Sequence, residues 1–399
     1  MDLHFSAEDE AFRRDIAAWL EEQLSGEFAQ VRHRGGPGDE HAVFEERLAW
    51  ERRLGEAGWT CVGWPREHGG RDLSFTRQVI FYEEYARAGG PGRVGHIGET
   101  LLGPTLIAFG SEEQKRRFLP AIQRGDELWC QGYSEPNAGS DLASVQTRAE
   151  LVGDEWVIHG QKVWTSGAEW ADWCFVLCRS EPTAKSHEAL SYLLVPMKQP
   201  GIEIRPIVQL TGTSEFSEVF YDGARTSAAN LVGARGEGWK VAMGTLAFER
   251  GASTLGQQNL FANELAEIFA VAQKNGRAAD PVLRQRLVDA WMGLRIMRFT
   301  ALRVLGGAQT GASLGREAMI TKIFWATWHR NLGKLAMDVL GPEGEIAAAE
   351  PYELGRLQAM YLFTRSDTIY AGSNQIQRNI IGERALGLPR EPRAEPQKP

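Results

Sequence analysis

Residues 131–141 of the chain read Gln-Gly-Tyr-Ser-Glu-Pro-Asn-Ala-Gly-Ser-Asp, and residues 162–167 read Lys-Val-Trp-Thr-Ser-Gly. Both stretches are rich in hydroxyl groups, which donate and accept hydrogen bonds, and in glycines, which leave backbone N–H groups open to a ligand. Trp164 adds a flat apolar wall beside them. Residues 134–140 alone are an ordinary turn-forming string. Together, the two stretches predict half of a site for a planar, polar ring such as a flavin.

The region around these stretches has a repeat of two. Between about residues 127 and 236, the segments 155–159, 191–195 and 218–221 read as short strands. Turn residues such as Gly153-Asp154 and Asp222-Gly223 lie next to them. This pattern predicts a small antiparallel β domain, against which a flat flavin can lie.

Helical patterns flank the β region on both sides. Ser6 is a predicted N-cap with Asp9 as its capping-box partner, and Ser111 with Gln114 repeats that arrangement. After about residue 239 long helical stretches return, including 281–305 and 317–340. The fold class is therefore α+β, with an N-terminal helical domain (1–125), a middle β domain (126–236), a C-terminal helical domain (237–388) and a tail at 389–399 that we expect to be flexible.

The composition argues against several classes of protein, among them nucleic-acid binders and membrane-spanning proteins. The 44 Lys and Arg residues against 52 Asp and Glu give a net charge of -8, which argues against a dedicated nucleic-acid binder. No stretch approaches the roughly 20 apolar residues that span a bilayer, and the start lacks a secretory pattern, so we expect a cytoplasmic protein. The four cysteines are expected to be reduced core thiols. Cys174 and Cys178 have no second Cys or His pair at zinc-ligand spacing, so no metal is expected.

Further motifs extend the pattern along the chain. They are 110–115 (Gly-Ser-Glu-Glu-Gln-Lys) with 118–120 (Phe-Leu-Pro), 248–250 (Phe-Glu-Arg) and 370–378 (Tyr-Ala-Gly-Ser-Asn-Gln-Ile-Gln-Arg). In this order and at these separations, the motifs resemble those of the acyl-CoA dehydrogenase family from about the first helix to Pro389. The resemblance implies FAD as cofactor, a barrel-like middle domain and a C-terminal four-helix bundle. It also implies a role in lipid degradation, in which an acyl-CoA thioester is oxidised to a trans-2-enoyl-CoA.

The family reaction requires a carboxylate base for the α proton. In many members the base lies two residues before the hydroxyl of the late Tyr-x-Gly motif, and here that position is Ala371, which cannot accept a proton. Other branches place a glutamate on the first helix after the β domain, directly before an arginine. The resemblance therefore assigns the base to Glu249, whose pKa burial would raise from about 4.3. The alternative is a surface pair with Arg250 on an amphipathic helix.

The resemblance also assigns the binding residues. Ser166 would approach flavin N5, the atom that receives the hydride. Arg250 and Ser140 would meet the CoA portion, while Asp338 is a candidate contact to a flavin. The residues that match the family's flavin contacts are Tyr133, Ser134, Ser140, Trp164 and Ser166 on the ring side, and Ser373, Asn374 and Gln375 on the adenine side.

Two departures concern the flavin of a neighbouring subunit. The family's Arg-x-x-Phe-Gly-like segment is absent from 270–280, where Arg277 is an unaligned candidate substitute. In 338–344, Pro342 replaces a second glycine and removes an N–H group. Since members of the family share sites across subunits, the resemblance implies a homotetramer or a heterotetramer with a related subunit. An electron-transfer flavoprotein is the implied electron acceptor.

Three alternatives remain at this point. An oxidase would pass electrons to oxygen, although the usual oxidase of this lineage carries a long additional C-terminal region. A flavin-binding, non-catalytic subunit would explain Ala371, but Glu249 argues against it. A DNA-associated relative would be expected to carry a basic C-terminal region. Straight-chain, branched, ring-bearing and steroid-side-chain acyl groups all remain open.

Overall fold

The computed structural model of the chain describes residues 5–182, 184, 186–248, 257–309, 316–346 and 354–390. These residues form two compact units. The first is Phe5–Asn259, and the second comprises the described residues from Leu260 onward. Residues 391–399 of the predicted tail lie outside the described ranges.

The first unit begins with helices whose predicted starts are confirmed. Ser6 Oγ accepts a hydrogen bond from Asp9 N at 3.1 Å, but the Asp9 carboxylate accepts from the Ser6 hydroxyl, so the predicted capping box is only half formed there. Ser111 forms a complete capping box with Gln114. Large apolar side chains such as Trp50 are buried among the first three helices. The helices are α1 (Ala7–Ser25), α2 (Phe44–Glu56), α3 (Phe75–Arg87), α4 (Gly103–Phe109) and α5 (Glu112–Arg124).

An 8-stranded sheet follows. Its strands are β1 (Trp129–Gly132), β2 (Arg148–Val152), β3 (Glu155–Ser166), β4 (Trp173–Arg179), β5 (Leu190–Pro196), β6 (Ile202–Ile207), β7 (Phe216–Ser227) and β8 (Leu231–Val232). The order is β6-β7-β3-β2-β4-β5-β8, with β1 beside β4. The predicted antiparallel pairing is wrong for β1 and β4, which run parallel, and for a single bridge between β2 and β4. Strands β1 and β4 are not consecutive along the chain, so no hairpin turn imposes an antiparallel direction on their pairing.

Apolar side chains cover both faces of the sheet. One face packs against α4, α5 and α6 (Gly238–Phe248) through residues such as Phe118, Phe175 and Tyr192. The other face buries Trp156 and Ile158. All four cysteines are buried and unpaired, as predicted for core thiols.

The second unit is helical. Its core includes Leu265, Leu287, Leu332 and Ala336 from its three long helices. Within the described ranges, every helix is too short or too polar to span a lipid bilayer. The helices are α7 (Gln258–Lys274), α8 (Pro281–Gln309), α9 (Arg316–Leu340), α10 (Arg356–Phe363) and α11 (Asn374–Ile380). The predicted order of a helical, a β and a second helical region is confirmed.

Candidate functional site

A buried ion pair joins the two polar stretches of the first unit. Lys162 Nζ lies 2.9 Å from Glu135 Oε1 and also donates to the carbonyl oxygen of Tyr133 at 3.0 Å. The Lys162 side chain is fully buried and that of Glu135 is 7% exposed. The pair therefore fixes the loop after β1 against strand β3.

Both oxygens of the Glu135 carboxylate accept hydrogen bonds within the protein. Its two oxygens accept backbone hydrogen bonds from Gln146 N at 2.6 Å and Thr147 N at 2.9 Å. Burial raises the pKa of Glu135, but the Lys162 ammonium and these hydrogen bonds outweigh burial and hold the pKa below its usual value. Glu135 is therefore ionised at neutral pH and supports the loop.

The loop itself is a tight turn that presents hydroxyl groups. Glu135 and Ala138 exchange two backbone hydrogen bonds, of 2.9 and 3.0 Å. Ser134 is half-buried and its carbonyl accepts from Val163 N at 2.9 Å, while Ser140 is exposed. The two stretches identified in the sequence thus lie side by side.

A β-bulge turns Trp164 out of the sheet. The pairing of β3 with β7 shifts register between Lys162 and Thr165, and Trp164 has a φ of 60°. Bulges often re-aim a side chain next to a binding site. The Trp164 ring is 58% exposed and meets the Phe216 ring edge-on at 6.2 Å between centroids. It provides a flat apolar wall at the end of β3.

The next two residues carry hydroxyl groups. Thr165 is fully buried, and its hydroxyl has no hydrogen-bond partner among the described residues. An unsatisfied buried hydroxyl costs about 1–3 kcal/mol, so a polar ligand that satisfies it would be favoured here. Ser166 is half-buried, and the chain turns at Gly167 with a φ of 65°. The residues present therefore fit a planar ligand with hydrogen-bonding atoms at its edge.

Aromatic side chains brace the turn that follows Ser166. Trp170 stacks on Phe44 at 4.4 Å and meets His41 edge-on at 4.8 Å. Trp170 N donates to Gly167 O at 3.2 Å, which ties the ring to the turn. The start of α2 thus supports the turn beside Ser166.

Tyr133 does not contribute its ring to the exposed surface. The ring is buried in the core, 5.8 Å from the Phe175 ring and 6.3 Å from the Tyr192 ring. Its carbonyl oxygen already accepts from Lys162. Of the predicted ring-side residues, Ser134, Ser140, Trp164 and Ser166 are half-buried or exposed.

Helix α6 is fixed by a chain of buried hydroxyls. The Thr245 and Thr105 hydroxyl oxygens lie 2.9 Å apart, and Thr245 also donates to the Tyr192 hydroxyl at 3.4 Å. These contacts hold α6 to α4 and to β5. The predicted base Glu249 and its neighbour Arg250 follow α6 in sequence and lie outside the described residues.

The second unit contains the late motif. Ala371 and Gly372 have positive φ angles of 49° and 86°, and Ser373 Oγ then caps α11 by accepting from Ile376 N at 3.3 Å. Ala371 and Gln375 are exposed. The base position of other branches is therefore an exposed alanine in this chain.

Buried amide groups lie just behind this motif. Asn374 Nδ2 donates to Thr327 Oγ1 at 3.2 Å, while Asn374 Oδ1 has no partner among the described residues. Gln377 is fully buried, and neither polar atom of its side-chain amide has a partner there. Buried amide groups without hydrogen-bond partners, such as Asn374 Oδ1 and the Gln377 side chain, are also compatible with a polar ligand nearby.

Asp338 lies at the surface of the second unit. Its carboxylate forms a 2.6 Å ion pair with Arg286, and both side chains are half exposed. Its carbonyl oxygen accepts from Arg277 Nη1 at 2.8 Å, and the Arg277 guanidinium packs against Gly341. The structure thus brings Arg277 to segment 338–344.

The Lys162–Glu135 pair was not predicted from the sequence. A signal was present, because Lys162 shares the inward, alternating face of β3 with Trp156 and Ile158. A lysine at such a position requires a buried anion. Which carboxylate it meets depends on the loop after β1.

Comparisons with known proteins agree with this architecture. The chain matches the acyl-CoA dehydrogenase N-terminal domain over residues 6–126, the middle domain over 130–224 and the C-terminal domain over 236–386. It is 59% identical to acyl-CoA dehydrogenase IpdE1 of Mycobacterium tuberculosis, over 96% of this chain and 98% of that protein. The IpdE1 protein of Mycolicibacterium smegmatis is 57% identical, over 96% and 99% of the two chains.

Solved structures give the same result. The Tcur3481-Tcur3483 steroid ACAD has a TM-score of 0.85 at 30% identity, covering 98% of this chain and 100% of the other. The ChsE4-ChsE5 complex from Mycobacterium tuberculosis has a TM-score of 0.82 at 31% identity, with coverage of 98% and 100%. The chain belongs to the acyl-CoA dehydrogenase family.

Proposed function

We propose that this chain oxidises the α,β bond of an acyl-CoA thioester to a trans-2-enoyl-CoA, with FAD held on the surface formed by Ser134, Trp164 and Ser166. Members of the family use FAD, which when bound supplies the hydride acceptor. The observation that carries the proposal is the buried, unpartnered Thr165 hydroxyl beside the exposed Trp164 ring.

Each residue has a defined part in this proposal. Trp164 covers one face of the ring system, and the Ser134, Thr165 and Ser166 hydroxyls satisfy its polar edge. Lys162 and Glu135 hold these groups in place from behind. In the second unit, Ser373, Asn374 and Gln375 would contact the adenine side of a flavin, as the family resemblance implies, and Asn374 Oδ1 has no partner among the described residues.

The proton acceptor in the proposal is Glu249. The late-motif alternative is an exposed alanine, Ala371, which has no proton-accepting group. Helix α6, anchored through Thr245, leads in sequence directly to Glu249. Arg250 would bind an oxygen of the CoA portion through its planar guanidinium, together with Ser140.

The proposed substrate is a bulky, ring-bearing acyl-CoA. The support is the likeness to a solved protein described as a steroid ACAD, over nearly the full length of both chains. A panel of straight-chain, branched and steroid-derived acyl-CoAs, tested anaerobically for bleaching of the flavin absorbance, checks this. Bleaching by straight chains alone would contradict the substrate class, and bleaching by none would favour a non-catalytic subunit.

We also propose that the protein assembles with a second acyl-CoA dehydrogenase subunit. Both solved structures named above carry the names of two proteins. In this chain, helix α8 exposes a stripe of large apolar side chains at helical spacing, each 41–51% exposed. The stripe consists of Val288, Trp291, Met292, Ile296 and Phe299.

The assembly proposal has a direct test. Ile296→Glu places a charge in the middle of the α8 stripe and should dissociate the oligomer in light scattering after size exclusion. Val208→Glu, at an exposed apolar residue of the other unit, is the matched control. A wild-type monomer both alone and when co-expressed with a related subunit would contradict the proposal. The proposed electron acceptor is an electron-transfer flavoprotein. Reoxidation of the reduced flavin by that protein under nitrogen would support it, whereas rapid reoxidation by air alone would indicate an oxidase.

A further inference from the structure

A buried histidine lies between two carboxylates in the second unit. His329 on α9 places Nδ1 2.8 Å from Asp367 Oδ2 and Nε2 2.7 Å from Glu264 Oε2 on α7. The side chains of His329 and Asp367 are 9% and 1% exposed. Ionised carboxylates only accept hydrogen bonds, so both ring nitrogens must donate and the ring is an imidazolium.

The charged surroundings of the ring favour this state. Glu264 faces it from α7 and Asp367 from the 3-10 turn Ser366–Thr368, while Lys322, on α9 itself, donates to the Asp367 carbonyl at 2.6 Å. Phe261 covers one face of the ring at 4.4 Å. Burial lowers the pKa of His329, but the two carboxylates outweigh burial and raise it to about 10.

Asp367 connects this cluster to the late motif. The Tyr370 hydroxyl donates to Asp367 Oδ1 at 2.8 Å, and the Lys322 ammonium lies 4.6 Å from the centre of the Tyr370 ring. Tyr370 N also donates to Ser366 O at 3.1 Å. The ring, the hydroxyl and the backbone N–H of Tyr370 thus each make a contact that fixes the residue.

The residue that follows Tyr370 needs such support. Ala371 has a φ of 49°, a region that is unfavourable for a residue with a Cβ. Backbone of this kind persists only where its surroundings fix it. The contacts that fix it here come through Tyr370 and Asp367 to His329.

We propose that Glu264, His329 and Asp367 form a positioning cluster, which in its charged form holds Tyr370–Ser373 in the conformation that binds the adenine side of the flavin. His329 is a positioning residue, because it acts through Asp367 and Tyr370. This inference rests on the proposed function, since it assigns flavin binding to the late motif.

Hydrogen exchange of the flavin-free protein tests the cluster without any activity measurement. His329→Gln keeps one donor but removes the charge. The amides of 366–377 should exchange about tenfold faster in this variant, because the segment loses a hydrogen bond to a charged group. The amides of β3 and β7 should be unchanged. Equal exchange in 366–377 would overturn the proposal.

Flavin binding provides the second measurement. The Kd for FAD, from fluorescence titration well below the melting temperature, should be about tenfold higher for His329→Gln. A cluster with a merely structural role would lower the melting temperature and leave this Kd unchanged, which would overturn the proposal. His159→Gln, at an exposed His-Asp pair of the first unit, is the matched control.

The pH dependence follows from the direction of the pKa shift. The pKa of His329 is raised in the folded state, so its stabilising effect is complete below about pH 6.5 and is lost as pH rises through about 10. The wild-type Kd for FAD should therefore rise across that upper range, and the difference from His329→Gln should disappear. A constant ratio of the two Kd values over this range would contradict the cluster.

The measurements distinguish a failure of the proposed function from a failure of the cluster. If His329→Gln does not fold, Glu264→Gln removes the charge of the more exposed carboxylate, at 23% exposure, and the same two measurements apply. If the wild-type protein binds no FAD, the proposed function fails, while the exchange of 366–377 still tests the cluster. If the wild type binds FAD and the variants bind it equally, only the cluster is wrong.

Discussion

Lys162 and Glu135 form a buried salt bridge of 2.9 Å that connects strand β3 to the loop after β1. The lysine also donates to two carbonyl oxygens, of Tyr133 and Leu177, so all three of its N–H groups are satisfied. A buried ion pair contributes little net stability by itself. Here it fixes the relative position of Ser134 and Trp164, on which the proposed flavin surface depends.

Removing the cation from this pair should be costly. Lys162→Met leaves Glu135 buried without its counter-ion, and we expect the free energy of unfolding to fall by about 3–5 kcal/mol in urea denaturation. Lys198→Met is the control, because Lys198 pairs with Asp172 at 2.7 Å while its own side chain is 76% exposed. That change should cost about 1 kcal/mol or less. Equal losses for the two variants would contradict a special role for Lys162.

Glu135 should also shape the acid stability of the protein. Its pKa in the folded protein is lowered, so its stabilising effect is present above the unfolded pKa of about 4.3 and is lost as pH falls through the folded pKa. The wild-type free energy of unfolding should therefore drop below about pH 4 more steeply than that of Glu135→Gln. Parallel pH profiles for the two proteins would show that Glu135 titrates normally.

The Thr165 hydroxyl predicts two effects of opposite sign. Thr165→Val removes a buried hydroxyl that has no partner in the described structure, so the flavin-free protein should gain about 1 kcal/mol of stability. FAD binding should weaken, because the ligand loses a hydrogen bond. In the control Thr226→Val, the lost hydroxyl donates to Leu194 O at 2.6 Å, and stability should fall. A Thr165→Val protein that is both destabilised and unchanged in FAD affinity would contradict the assignment.

Trp164 allows the ring and the backbone to be separated. Trp164→Ala and Trp164→Gly both remove the aromatic wall, and both should weaken FAD binding. Only glycine adopts the φ of 60° without strain, so the glycine variant should be more stable than the alanine variant by about 1 kcal/mol. Chemical denaturation of the flavin-free proteins measures this difference. Equal stability would mean that the bulge relaxes when the ring is removed.

The sequence predicted the fold class and the elements of the first unit well where short-range rules apply. The Ser6 and Ser111 caps and the Gly153-Asp154 turn were all readable, because each depends on residues a few positions apart. The parallel pairing of β1 with β4 could not be predicted, because these strands are not consecutive in sequence and no hairpin turn sets their relative direction.

The same distinction holds for the candidate site. Motif spacing located Ser134, Trp164 and Ser166, but the contacts that hold them come from residues distant in sequence, such as the pair Lys162 and Glu135. The Glu264-His329-Asp367 cluster spans more than a hundred positions of the chain, and His329 occupies a core-facing position of α9 that an apolar residue could also fill. Such partners become visible only in three dimensions.

Glu249 is the proposed proton acceptor, and the proposed reaction cannot proceed without it. The direct measurement is anaerobic mixing of flavin-loaded wild-type and Glu249→Gln proteins, in their assembled state, with a steroid-derived acyl-CoA, followed by flavin absorbance. We expect rapid bleaching of the wild type and none of Glu249→Gln, with equal FAD content in the two proteins. Undiminished bleaching of Glu249→Gln would contradict that role.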